Sequence, residues 1–178
     1  AKPDLGAVVI GDLLPLSFAP GDAPAALHQA SKDELALIQF SSGSTVEPKA
    51  VALSHGQLMS QCAALQTLMP KQESKSGVCW LPLYHDMGLI GCLLSVVYYP
   101  GRLVLIAPEH FLVKPALWLR AIARHQAFIS PAPNFAYALC AKRIKDEDLR
   151  GIDLSCWRGA LNGAEPVSLQ TLDQFFER

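Results

Sequence analysis

The stretch GVCWLPLYHDMGLIGCLLSVVYYPGRLVLIA, residues 77–107, holds the pattern on which the fold reading turns. Gly77 to Leu81 is an apolar run of strand length, and Asp86 to Tyr99 is an apolar segment of helical length. Arg102 to Ala107 places Leu103, Val104, Leu105 and Ile106 in a second strand, with Pro100-Gly101 as the turn before it. Strands that alternate with helices in this way build an α/β domain with a largely parallel sheet flanked by helices on both faces.

The same alternation continues outward in both directions. Pro115 fits the first turn of a helix carrying Leu117, Trp118, Ala121 and Ile122; a short strand at Ala127 to Ser130 follows, and Pro133 opens a helix to about Arg143. The charged run Lys142 to Arg150 reads as solvated surface, Trp157 to Leu161 as a strand and Ser168 to Arg178 as a helix. Upstream, Ser54 can cap a helix from His55 to Met69 that ends at Pro70, with Leu58, Met59, Cys62, Leu65 and Met69 on one face. Leu35 to Phe40 is a compact apolar run that suits a buried strand. Residues 1–34, broken by prolines and glycines, read as an irregular lead-in with a short strand at Ala7 to Ile10, ahead of one domain over residues 35–178.

A composition of 51% hydrophobic and 17% charged residues over 178 positions is that of an ordinary globular domain. Fifteen basic against sixteen acidic residues give a formal charge of −1, so no broad positive field draws in a nucleic-acid backbone, and no nucleic-acid partner is expected. The five scattered cysteines include no C-x-x-C pair and read as reduced packing residues of a cytoplasmic protein. The longest apolar candidate, Met87 to Tyr99, falls well short of the roughly 20 residues that span a bilayer. The amino end, Ala1-Lys2-Pro3-Asp4, lacks both a start methionine and the regions of a secretory signal, so a piece cut from a longer protein is expected.

Four segments carry chemistry. Directly after Phe40 come Ser41, Ser42, Gly43, Ser44, Thr45, Val46, Glu47, Pro48 and Lys49: hydroxyl donors, a flexible glycine and one cation, a set that can surround phosphate oxygens. The lysine lies at the far end, so this is not the G-x-x-x-x-G-K-[ST] loop, and a solvated serine-rich turn has the same composition. His85 and Asp86 stand between a strand and a helix, where the imidazole can orient a carboxylate and the acid can cap the helix and hold the ring. In isolation such a pair is also a common structural device. Asn134, Phe135 and Tyr137 open the helix after Pro133, at a spacing equally suited to core packing. Asn162, Gly163, Ala164, Glu165 and Pro166 follow a strand, and small residues at 163 and 164 allow a flat ligand to approach the backbone; a plain strand-to-helix turn is the alternative. His28, His55, His110 and His125 have no partner at metal-ligand spacing, and no G-x-S-x-G elbow accompanies the serines.

Gln39 to Ala52 resembles the phosphate loop of the adenylate-forming superfamily, roughly T-S-G-S-T-G-x-P-K-G, with Val46 and Ala50 standing where that pattern has glycine and Ser41 where threonine is common. Trp80 to Leu89, W-L-P-L-Y-H-D-M-G-L, is similar to the segment preceding the acyl pocket of fatty acyl-AMP ligases, and Pro133 to Tyr137 to the entrance for their fatty chain. The resemblance covers about residues 35–178, with the motifs in the family's order, and implies the N-terminal domain of such an enzyme.

By that resemblance the parent would join a fatty acid to ATP, release pyrophosphate and pass the acyl group to the thiol of an acyl carrier protein or of a synthetase carrier domain. Ser41 to Thr45 and Lys49 would hold the phosphates, Thr45 would offer its hydroxyl to Mg2+, and Asn162 to Pro166 would border the adenine. His85 and Asp86 would face the acid, while Asn134, Phe135 and Tyr137 would line its entrance. Family members continue with a metal-binding glutamate, a ribose-binding aspartate and a small mobile domain bearing a catalytic lysine, none of which follows Arg178, so little or no turnover is expected of these residues alone. An acyl-CoA synthetase, a polyketide or peptide synthetase loading module and a non-catalytic domain with a decayed loop are the rival parents.

Overall fold

In the computed structural model, residues 8–9, 29–41, 49–68 and 76–178 are described. The expected loop residues Ser42, Gly43, Ser44, Thr45 and Val46, the helix stop at Pro70 and most of the lead-in lie outside them. The elements are β1 (Val8–Val9), β2 (Leu35–Ser41), β3 (Lys49–Ser54), α1 (His55–Leu68), β4 (Ser76–Cys79) and α2 (Asp86–Gly88), which continues through a π-helical segment (Leu89–Leu94) into α3 (Ser95–Tyr98). Then follow β5 (Arg102–Leu105), α4 (Pro108–Val113), α5 (Ala116–His125), β6 (Ile129–Ala132), α6 (Asn134–Arg143), α7 (Asp146–Leu149), β7 (Gly159–Asn162) and α8 (Leu169–Phe176).

Five strands form one sheet in the order β1-β5-β4-β6-β7, parallel except for the antiparallel edge strand β1 that the lead-in contributes. The chain moves one way from β4 to β5 and the other way from β5 to β6 and β7. Right-handed crossovers therefore put α2 and α3 on one face and α4 to α6 on the other. The core lies mainly under the second group, where Phe111, Trp118, Ile122 and Tyr137 are fully buried against Val78 and Val104.

One expectation is corrected. Leu35 to Phe40 is a strand, but not a buried one of the parallel sheet: β2 pairs antiparallel with β3 in a separate two-stranded ribbon, and Leu35, Ile38 and Phe40 are exposed. Among the described residues no further strand lies beside this ribbon, so an apolar run does not by itself ensure burial on both faces.

Local chemistry explains the element ends. Ser54 Oγ accepts from Gln57 N–H at 3.3 Å while Gln57 Oε1 accepts from Ser54 N–H at 2.8 Å, a reciprocal capping box. Ser168 Oγ caps α8 through Thr171 N–H. Gln126 ends α5 in the left-handed conformation, φ 51°. No helix among the described residues is long and apolar enough to cross a membrane.

Candidate active site

Strands β4 and β6 are neighbours whose following segments turn to opposite faces, so a crevice opens at their carboxyl ends. Sequence widens it. The ladder between them holds a single pair, Gly77 with Ile129. Alternate residues of a strand face the same neighbour, which makes Pro131 the next of β6 to face β4, and proline has no N–H to donate. Ser130 Oγ donates instead to Val78 O at 2.5 Å, and Trp118 Nε1 donates to Ser130 Oγ at 2.8 Å, so the interruption leaves no orphan at these groups.

Three of the four segments meet at this crevice. Residues 80–85 run from β4 to α2, and there His85 Nδ1 lies 2.8 Å from Asp86 Oδ1. Met87 N–H donates to His85 Nδ1 at 3.2 Å and to Asp86 Oδ1 at 2.7 Å, so Nδ1 faces the helix start and Nε2 is left for a ligand. The residue at the N-cap position is His85, one before the acid named from the sequence.

Across the crevice, Asn134 and Glu165 tie α6 to the turn after β7. Phe135 N–H donates to Glu165 Oε1 at 2.5 Å, and Asn134 Oδ1 accepts from Ser168 N–H at 3.0 Å and from Asn162 Nδ2 at 3.2 Å. The first of those amide contacts identifies the Asn134 acceptor as oxygen, so the Asn162 atom facing it must be nitrogen. Asn162 Oδ1 is thereby left buried with no partner among the described residues. An acceptor of this kind, held at the mouth of a crevice, suits a ligand amine. Ala164 beside it has φ 70°, a conformation that costs an alanine about 1 kcal/mol and recurs where backbone is held for function.

Behind the rim lies an apolar cavity of about 300 Å³ between the sheet, α1 and the helix that begins at Asp86. Its carboxyl-end rim includes Met87, Asn162 and Gly163, and its wall includes Val78, Cys92, Leu103 and Ile129. A hydrogen bond with Cys79, and then burial, push the Cys92 thiol well above the ordinary thiol range, so this part of the wall is uncharged at neutral pH.

The ribbon that carries the fourth segment is fastened to the same place, because Gln39 Nε2 donates to Tyr84 O at 3.0 Å. Ser41 and Lys49 are directly paired at its open end, with residues 42–48 between them in the sequence. Tyr137 is not brought to the crevice: it is fully buried, donates its hydroxyl to Leu161 O at 2.9 Å and packs edge-on against Trp118 and Phe175. Phe135 stays half exposed beside Trp80, 5.9 Å between rings. The contact of Gln39 with Tyr84 and the cavity glycine Gly91 escaped the sequence reading; helical spacing of Met87, Gly91, Ser95 and Tyr99 is the signal that marks one wall.

A doubly wound sheet whose switch-point crevice joins a polar rim to an apolar cavity is the frame of a nucleotide- and acid-binding domain. The chain belongs to the AMP-binding enzyme family, whose profile matches residues 4–178. It is 41% identical to a medium-chain fatty acid acyl-carrier-protein ligase of Teredinibacter turnerae, over 82% of this chain and 23% of that protein. It is 38% identical to a 4-hydroxyphenylalkanoate adenylyltransferase of Mycobacterium tuberculosis, over 96% of this chain and 28% of that protein. A fatty acyl-adenylate ligase of Legionella pneumophila, solved with acyl adenylate and pyrophosphate, superposes with a TM-score of 0.79 at 41% identity, over 82% of this chain and 26% of that one. The chain thus spans about a quarter of the length of these relatives.

Proposed function

We propose that these residues are part of the ATP-binding domain of a fatty acyl-AMP ligase, with residues 35–178 as a partial adenylation domain. The observation that carries this reading is the apolar cavity that opens beside the unpaired Asn162 acceptor, placing room for an acyl chain next to a polar rim. A carboxylate oxygen of the acid would attack the α-phosphorus of ATP, and the bond to the bridging oxygen would break, with pyrophosphate leaving on its own electron pair. The thiol of a carrier protein would then attack the acyl carbon, and AMP would leave.

Each residue has a part in that scheme. With Nδ1 engaged at the helix start beside Asp86, His85 would turn Nε2 to the acid and orient its carboxylate. Lys49 and the hydroxyls of Ser41, Ser42, Ser44 and Thr45, around Gly43, would hold the leaving pyrophosphate. Asn162 Oδ1 would accept from the adenine amine, with Gly163, Ala164, Glu165 and Pro166 bordering the ring. No three His, Cys, Asp or Glu side chains converge among the described residues. Mg2+ would shield the charge of the triphosphate, with Thr45 offering its hydroxyl as one ligand. The five cysteines are all unpaired, which supports a reducing, cytoplasmic setting.

Carboxylate-dependent exchange of labelled pyrophosphate into ATP by the full-length protein tests the reading. Exchange with a fatty acid and none with acetate or an amino acid is expected. Silence with every acid would leave a binding domain in place of an enzyme.

A further inference from the structure

Two glycines three residues apart in the helix after Asp86 have different physical reasons. At Gly88 a Cβ would collide with Pro82 O, so the close seating of the helix on the 80–85 segment requires glycine there. At Gly91 a Cβ would meet only Met87 Cγ, at 3.9 Å, so packing does not explain it. Glycine is nonetheless the least favourable helix former after proline.

Gly91 also sits inside the π-helical segment Leu89–Leu94, a second locally unfavourable choice at the same point. Ser95 holds that segment open: its hydroxyl donates to Ile90 O at 2.9 Å while its N–H goes to Cys92 O. Both features face the cavity, whose helical wall is the row Met87, Gly91, Ser95 and Tyr99. Met87 is at the carboxyl-end rim and Tyr99 is near Gly101 and Arg102, where the cavity ends at the amino edge of the sheet. Gly91 is the member of the row without a side chain, about midway along.

We infer that Gly91 and its π-helical turn set how long an acyl chain the site admits. The inference rests on the fatty acid reading above. A side chain at 91 closes the inner part of the cavity and leaves the carboxylate end, with His85 and Asn162, as it is.

The test is pyrophosphate exchange by the full-length protein with straight-chain acids from butyrate to palmitate, for the wild type, Gly91→Leu and Gly91→Ala. The wild type should exchange with decanoate as well as with hexanoate. Gly91→Leu should lower exchange with decanoate by at least about tenfold and keep hexanoate within about threefold of the wild type. Gly91→Ala should move the preference the same way by a smaller amount, and it guards against a misfolded leucine variant because alanine favours the helix. A variant profile parallel to the wild type, or an equal loss at every length, would overturn the assignment of Gly91 while leaving the fatty acid reading intact. A wild type inert towards every acid would overturn the fatty acid reading, and this inference with it.

Discussion

Next to the strands, the two faces of the parallel sheet are packed in opposite ways. On the face covered by α4, α5, α6 and α8, aromatic rings meet edge to face: Trp118 lies 5.2 Å from Trp157 and 5.5 Å from Tyr137, and Tyr137 lies 5.1 Å from Phe175. Trp80 stacks on Phe111 at 3.8 Å at the edge of this cluster. On the face covered by α1, α2 and α3, glycines and a π-helical turn stand around a void. Next to the strands the first face is stabilised by filled volume, and its own hollow of about 460 Å³ lies further out, between α5, α6, α8 and residues 149–157. The second must hold its shape with part of its volume empty, so the work passes to backbone contacts such as the seating of Gly88 on Pro82.

Substitutions on the filled face should therefore cost the most. Trp118→Ala removes a fully buried ring and the donor to Ser130, and should lower stability by about 3–5 kcal/mol in denaturant unfolding. A loss under about 1 kcal/mol would mean that this face is no better packed than the other. Gly88→Ala, on the open face, should cost about 1–3 kcal/mol by the same measurement, because its Cβ has backbone to displace. A neutral result would show that the helix can lift off the 80–85 segment. Ser130→Ala strands the buried Trp118 N–H and the Val78 carbonyl and should cost about 1–3 kcal/mol, coupled to Trp118→Ala in a double-mutant cycle.

The filled face also carries a pH signature. Burial pushes the Cys140 thiol from 9.0 up to about 12. A group that holds its proton more tightly when folded contributes fully below its unfolded pKa, so stability should fall from about pH 9 towards 12 as the unfolded chain loses the proton first. Cys140→Ala should flatten that decline in unfolding midpoints measured across the range, and an unchanged slope would assign it elsewhere. The smallest effect belongs to the site turn. Ala164→Gly relieves a positive φ and should raise stability by no more than about 1 kcal/mol, and a clear loss would show that the methyl is packed.

The filled face was the more legible in the sequence. Pro115, Leu117, Trp118, Ala121 and Ile122 announce α5 by a helix-start signal and a 3.6-residue period, and Trp118 and Ile122 are fully buried. The segment from Asp86 to Tyr99 was legible as a helix but not as a π-bulged one, since the bulge depends on Ser95 reaching Ile90 O and leaves the apolar pattern unchanged. Leu35 to Phe40 was legible as a strand but not in its sheet, because an apolar run records strand propensity and not the identity of its neighbours.

By itself, then, the sequence determined the alternation of strands and helices, the caps at Ser54 and Ser168, and the polar residues at the strand ends, because each depends on chain neighbours a few positions apart. Only the tertiary structure decided which of those residues share a crevice. It brought Asn162 to Asn134 and Gln39 to Tyr84, and it turned Tyr137 into the core. It also made Gly88 a packing residue and left Gly91 facing a void. Those outcomes depend on strand order and on the hand of the crossovers, which join residues tens of positions apart and leave no local trace in the chain.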